Sequence, residues 1–335
     1  MTHSRPRRRR LPAAPPNVTV ISHLNRLSSE KKGYTPVRRR KIIIISMAAI
    51  LVAINRLSLA SHAMPQATHP IRQIDHIMIR ADAPANLYAF FTETLQLPVA
   101  WPLATRGGVT SGGVGFGNVN VEAIQFPGQK SSSAQLVGFG FEPAPLAECL
   151  SELDRRGIKY GEVRPFVSTS PDGSKKTLFT NVTLLQFSDS DRPADAGIHI
   201  FLSEYSPTYV DVGQRHERLR KELLRKGGGP LGVKAIREVI IGVTDLKAAT
   251  MLWGRLLEPG RPSAPGLWEV GDGPSIRVVR AAENKLRGLV ISVASLRRAE
   301  AFLRKKGLLG SVSRKEVTID PSKIQGLNIR LIEQT

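Results

Sequence analysis

Apolar and polar residues recur along this chain in one order, written four times. Ile74 to Ile79 alternates with the period of two that one buried strand face requires. Asp82, Ala83 and Pro84 then cap a helix whose Leu87, Phe90, Phe91 and Leu95 share a face, and Leu97-Pro98 ends it. Val99 to Leu103 predicts a strand. A glycine-rich hairpin follows (Gly107, Gly108, Gly112, Gly113, Gly115, Gly117), and Val119 to Phe126 predicts the closing strand. The order is β-α-β-β-β.

The second unit opens at Leu136 to Phe141 and continues with a helix from Pro143 to Arg156 that stops at Gly157. Strands are predicted at Val163 to Val167, Leu178 to Phe187 and Gly197 to Leu202, with a turn at Pro171-Asp172-Gly173. A third unit runs from Ile236 to Val243 through a helix carrying Leu246, Ala249, Trp253 and Leu256, and closes at Ser275 to Val279. The fourth opens at Gly288 to Val293, has a helix carrying Leu296, Ala299 and Leu303 that stops at Gly307, and closes at Gly326 to Ile332. Between the second and third units, Arg215 to Lys226 predicts a highly charged helix, and Gly227 to Pro230 a flexible joint. An internal repeat of this kind predicts tandem modules. The division is 1–69 as a basic tail, 70–210 as a first domain, 211–231 as a linker, and 232–335 as a second, degenerate domain.

Charge changes the picture only at the front. Of 48 Lys and Arg in 335 residues, 13 fall in residues 1–63, against one acid, Glu30. The remaining residues carry 35 bases and 27 acids, an ordinary balance. The excess positive charge thus belongs mainly to a tail rich in Arg, Pro and Ser, with the composition of a disordered segment. It lacks the interleaved aromatics of a nucleic-acid surface, so no specific nucleic-acid partner is expected. Arg38 to Lys41, the apolar run Ile42 to Ile54 and Ser61-His62-Ala63 have the form of a secretory signal, with membrane proximity through 42–54. The run is short for a bilayer, which takes roughly 20 residues. Translation from Met64 is the alternative and would give a cytoplasmic protein.

Cys149 is the one cysteine, on the apolar face of its predicted helix with Leu146, Leu150 and Leu153, and reads as a core residue. Gly113, Gly115 and Gly117 imitate part of a dinucleotide fingerprint, but no helix follows them, so they read as hairpin glycines. Ser111 lacks the surroundings of a hydrolase nucleophile. Trp101, Phe116 and Tyr205 read as cavity wall or core.

The order of elements, with the phrases IDHIMIRADAPANLYAFFTETLQLPVAW and PLAECLSELDRRGIKYGEV, resembles the vicinal oxygen chelate superfamily of glyoxalase I, bleomycin-resistance proteins and extradiol dioxygenases. The resemblance is closest over 70–206 and fainter over 234–335. It implies an α+β fold of tandem βαβββ modules forming two half-open mixed-sheet barrels. It also implies a divalent metal (Fe, Mn, Zn, Ni or Co) held by the first and last strands of each module, and a small oxygen-rich substrate.

On those strands His76 and Glu122, 46 residues apart, are of ligating type. Module two departs from the pattern, with Gly138 and Phe201 at the corresponding places. His199, two residues from Phe201 on the same face, would supply the third ligand of a two-histidine, one-carboxylate set. Glu122 is also the carboxylate expected in catalysis, whereas Glu204 points to the other face. His216 reads as exposed on the charged helix. The second domain has Glu238 where His76 stands and Arg330 at its closing position, and reads as a structural partner. The resemblance implies isomerase, lyase, epimerase or dioxygenase chemistry; the alternative is a metal-free protein that sequesters a hydrophobic or antibiotic-like molecule.

Overall fold

Two mixed sheets and five α-helices make up most of the regular structure among the described residues. The computed structural model describes residues 69–334 except 130, 131, 171, 193 and 196. In the first half, β1 (Ile71–Arg80) leads into α1 (Pro84–Ala89), which ends in a π-helical turn, Phe90–Thr94. Then come β2 (Val99–Arg106), β3 (Val109–Gly115), β4 (Asn120–Gln125), β5 (Gln135–Pro143), α2 (Leu146–Arg155), β6 (Arg164–Thr169), β7 (Lys175–Thr183) and β8 (His199–Tyr205). These eight strands form one sheet, curled as a half-barrel, in the order β2-β3-β4-β1-β5-β8-β7-β6.

Helix α3 (Val212–Arg225) precedes β9 (Val233–Val243), α4 (Leu246–Leu257), β10 (Leu267–Trp268), β11 (Ser275–Arg280), β12 (Lys285–Val293), α5 (Leu296–Lys306), β13 (Leu309–Val312), β14 (Val317–Ile319) and β15 (Ile329–Glu333). The second sheet runs β10-β11-β9-β12-β15-β14-β13. In both sheets the opening strands of two modules pair antiparallel at the centre, and each pairs parallel with its module's last strand. The expected α+β architecture is therefore present.

Local chemistry explains the element ends. Asp211, Asp245 and Ser295 each accept a backbone N–H at a helix start, and Gly307 ends α5 in the left-handed conformation. Cys149 is buried among the apolar residues of α2, where burial pushes its thiol up to about 12.

The halves share one core. Trp253 of α4 stacks on Phe139 of β5 and meets Phe187 edge-on. Asn118 gives and takes a hydrogen bond with the backbone of Ile236, and the Arg156 guanidinium donates to the carbonyls of Arg255 and Leu256 at the end of α4. All of this lies in the compact unit Met64–Thr335. The readings made for residues 1–63 as a disordered tail, signal or membrane-proximal segment lie outside the described residues. Among the described residues no helix is long and apolar enough to cross a membrane.

Three expectations are corrected. The chain from Gly227 to Pro230 is a packed crossing: a Cβ on Gly229 would come within 2.2 Å of the Leu95 carbonyl, and Arg298 donates to the Gly229 and Pro230 carbonyls. The strand predicted to run on to Phe187 stops at Thr183 and gives way to a short 3-10 turn, Leu185–Phe187. The hairpin turn is Gly107–Gly108 alone. Gly113 and Gly115 lie within β3, and a Cβ there would strike the Trp101 indole and Leu219 of α3 respectively. Their missing side chains are what let other side chains lie flat on the sheet.

Gly117 carries this argument to a test. Its φ is +94°, and a Cβ would stand 2.6 Å from the Lys234 carbonyl oxygen. Gly117→Ala is expected to cost about 1–3 kcal/mol, read as a lower urea midpoint with an unchanged slope.

Candidate functional site

Parallel pairing of β1 with β4 sets His76 beside Asn120 and Met78 beside Glu122. His76 and Glu122 are thus diagonal neighbours on one face of the sheet, with His76 Nε2 3.7 Å from Glu122 Oε2. Their side chains keep 9% and 13% of their surface exposed, so the pair is sheltered but reachable.

Behind His76 stands a residue that the sequence reading missed. Between the pairs Ile74–Phe141 and His76–Gly140, β1 carries one extra residue, Asp75, and the strand bulges there. The bulge lets two consecutive side chains meet: His76 Nδ1 lies 2.7 Å from Asp75 Oδ2. Asp75 is fully buried. The Tyr205 hydroxyl donates to it at 3.0 Å, the Arg215 guanidinium makes a close ion pair with Oδ1, and His216 Nε2 lies 3.6 Å from the same oxygen. Arg215 also lies 4.8 Å over the Tyr205 ring. His216 is therefore no exposed residue: its side chain is largely covered, and its Nδ1 faces the Gln73 amide at 3.1 Å.

Burial alone would raise the Asp75 pKa, but the nearby imidazole of His216, the hydrogen bond with His76 and the Arg215 charge outweigh it and hold the carboxyl far below the ordinary range. Burial likewise works to lower the His76 pKa, and the hydrogen bond to Asp75 with the charges of Asp75 and Glu122 raises it instead. Tyr205 is pushed up by burial and by the Asp75 charge, so its hydroxyl remains a donor.

Glu122 is held from behind in the same manner. Ser111 Oγ donates to Glu122 Oε1 in a close hydrogen bond and accepts from Trp101 Nε1 at 3.1 Å. Ser111 thus orients a carboxylate. Trp101 and Phe201 flank the His76 ring edge-on at 6.3 and 5.5 Å between centroids. Gly140 makes room for this, since a Cβ there would approach both His76 and Phe201 to about 3.0 Å or less.

His199 does not complete the expected three-ligand set. Its ring stacks on Phe201 at 5.0 Å, and Phe201 in turn contacts His76. Among the described residues no group of three or more His, Cys, Asp or Glu is placed to hold a metal ion. Phe201, whose phenyl ring contacts both His76 and His199, offers no donor. His199 is buried, its Nδ1 has no hydrogen-bond partner among the described residues, and burial lowers its pKa to about 4.

The second sheet supplies a control. Glu238 pairs with Ser275 as His76 pairs with Asn120, so Arg277 takes the place that Glu122 has in the first sheet. Arg277 grips Glu238 with both Nε and Nη2. That carboxylate is already neutralised by its neighbour. Arg330 is likewise paired, with Glu316. A separate cleft of about 830 Å³ between α2 and α4 is lined by Arg155, Met251, Arg255 and Arg261, and neither His76 nor Glu122 lines it.

No protein-family model matches the sequence, and no curated protein matches it. Solved structures do match in fold. Homoprotocatechuate 2,3-dioxygenase from Arthrobacter globiformis is 13% identical, with a TM-score of 0.52 over 81% of this chain and 82% of that one. The Brevibacterium fuscum enzyme in complex with 3,4-dihydroxyphenylacetate is also 13% identical, with a TM-score of 0.52 over 81% and 83%. A hypothetical protein from Staphylococcus aureus is 10% identical, with a TM-score of 0.50 over 78% of this chain and 99% of that one. At these identities the likeness establishes the fold, which is that of extradiol dioxygenases.

The buried His199 has a measurable cost. Its folded pKa of about 4 lies below the 6.5 of a free imidazole, so between these values the unfolded chain binds more protons and stability falls as pH falls. The loss approaches about 3 kcal/mol at the acid end. His199→Phe is expected to flatten the stability curve between pH 6.5 and 4, measured by urea unfolding at a series of pH values.

Proposed function

We propose that the chain is an enzyme of the vicinal oxygen chelate type, in which His76 and Glu122 hold a divalent cation that binds a small molecule through two neighbouring oxygens. One observation carries this reading. Nε2 of a His76 that gives its Nδ1 proton to Asp75 is an acceptor, and Glu122 Oε2 is an acceptor, and the two face one another at 3.7 Å with their remaining polar atoms tied from behind. Two acceptors aimed at a common point repel unless a proton or a cation lies between them. The carboxylate behind the histidine and the hydroxyl behind the glutamate are the outer partners that orient ligands in metal sites.

The residues fit part of a coordination shell: one imidazole and one carboxylate suit Fe, Mn, Co, Ni or Zn. The remaining positions would fall to water and substrate. When bound, such an ion supplies Lewis acidity to the chelated oxygens. The chain's own side chains do the rest. Asp75 holds the imidazole in place, Ser111 and Trp101 hold the carboxylate, and Trp101 and Phe201 pack edge-on against the His76 ring. A catechol-like compound offers the two adjacent oxygens that this reading requires, and the fold's likeness to homoprotocatechuate 2,3-dioxygenases agrees with it.

Titration of the metal-stripped full chain with Mn²⁺ tests the proposal. One ion per chain is expected to bind, with affinity lowered about a hundredfold or more in His76→Ala and Glu122→Gln, and 3,4-dihydroxyphenylacetate is expected to bind only when Mn²⁺ is present. Catechol binding that ignores both the ion and the substitutions would instead support metal-free sequestration.

A further inference from the structure

A histidine ligates a cation only through a nitrogen that carries no proton, so the tautomer of His76 decides whether the pair with Glu122 is open or closed. If the proton sat on Nε2, it would point at Glu122 and hydrogen-bond it, filling the space between the two acceptors. The surroundings of Nδ1 set the choice. Asp75 is ion-paired with Arg215 and accepts from the Tyr205 hydroxyl, so it stands as a carboxylate that can only accept, and its Oδ2 lies 2.7 Å from Nδ1. A fully buried carboxylate stays ionised only with strong compensation. Part of it arrives from far along the chain: Arg215, 140 residues away on α3, contributes a full charge, and Tyr205 contributes a hydroxyl.

We propose that Asp75 and Arg215 are a positioning pair that fixes the Nδ1–H tautomer of His76 and turns its Nε2 lone pair toward Glu122. Helix α3, which joins the two halves of the fold, is then a component of the site. Its attachment agrees with this role. Leu219 and Leu223, one and two turns beyond Arg215, are buried against the sheet over Gly115 and Gly117, so the height of Arg215 above Asp75 is fixed by packing. The proposal rests on reading His76 and Glu122 as cation ligands, but its test can be read without the cation.

Nitrogen-15 spectra of the imidazole groups in the metal-free full chain, at alkaline pH where the rings are neutral, report the tautomer directly. In the wild type the His76 proton is expected on Nδ1. In Asp75→Asn the new amide donates to Nδ1 while its oxygen keeps Arg215, so the proton is expected to move to Nε2 and Mn²⁺ affinity to fall ten- to hundredfold. Tyr205→Phe, which removes one hydrogen bond and leaves the charges, is expected to lower Tm and keep the tautomer. A merely structural network would lower Tm in both variants and move the proton in neither. A wild-type proton on Nε2, or one that stays on Nδ1 in Asp75→Asn, overturns the proposal. Should Asp75→Asn fail to fold, the wild-type spectrum alone decides. The expected tautomer in a wild type that binds no Mn²⁺ would defeat the cation reading and leave the positioning pair standing.

Discussion

Placing a carboxylate with no exposed surface in the middle of a sheet is among the costlier arrangements a protein can adopt, because water's stabilisation of the charge has to be replaced group by group. Asp75 is such a carboxylate, and much of the first half of the molecule is arranged around satisfying it. Strand β1 bulges to bring His76 alongside, β8 contributes Tyr205, and α3 reaches across to deliver Arg215 and His216. Removing one of these would leave a buried charge with less compensation, so the elements that supply them are held together by electrostatics as well as by apolar burial. The helix joining the two halves is thus tied to the first sheet.

Space for this arrangement comes from residues with no side chain. Gly113 accepts the Trp101 indole, whose N–H reaches Ser111 and through it Glu122. Gly115 and Gly117 accept Leu219 and Leu223, and Gly140 accepts the rings of His76 and Phe201. Each is a position where a single methyl group would push a neighbour away. A sheet face that would ordinarily be lined with branched side chains is instead a floor on which aromatic rings and a helix rest. The polar groups stand where the floor is lowest.

How much of this was legible in the sequence follows from which interactions are local. The family resemblance places His76 and Glu122 on the first and last strands of one module, and the period of two gives each its face on its own strand. The fold order was legible for the same reason. Asp75 was not, since simple alternation assigns it to the face opposite His76, and the bulge that overrides this is a property of the pairing with β5. Gly113 and Gly115 read as hairpin glycines and do lie in a hairpin strand, but sequence shows only the missing side chain and not the indole or leucine lying over it. One signal for Arg215 was present. It shares a helix face with Leu219 and Leu223 at spacings of four and eight, so a residue read only as charged was pointing the same way as two buried leucines. His199 went the other way: its type and face were right for a ligand, and the bulk of Phe201 beside it was underweighted.

The comparison between the two sheets shows why composition alone would mislead. Each places a carboxylate and a basic or imidazole side chain at the same two lattice points, in opposite order: His76 with Glu122, and Glu238 with Arg277. Guanidinium and carboxylate complete one another, with two hydrogen bonds and no remaining demand. Imidazole and carboxylate do not, when the imidazole's only neutral-state proton is already committed to a third group. The second sheet therefore closes on itself, while the first leaves two lone pairs converging on a point that the protein does not fill. On the function proposed above, the incomplete pair is the one that would take a cation, and the buried Asp75 the group that would keep it open.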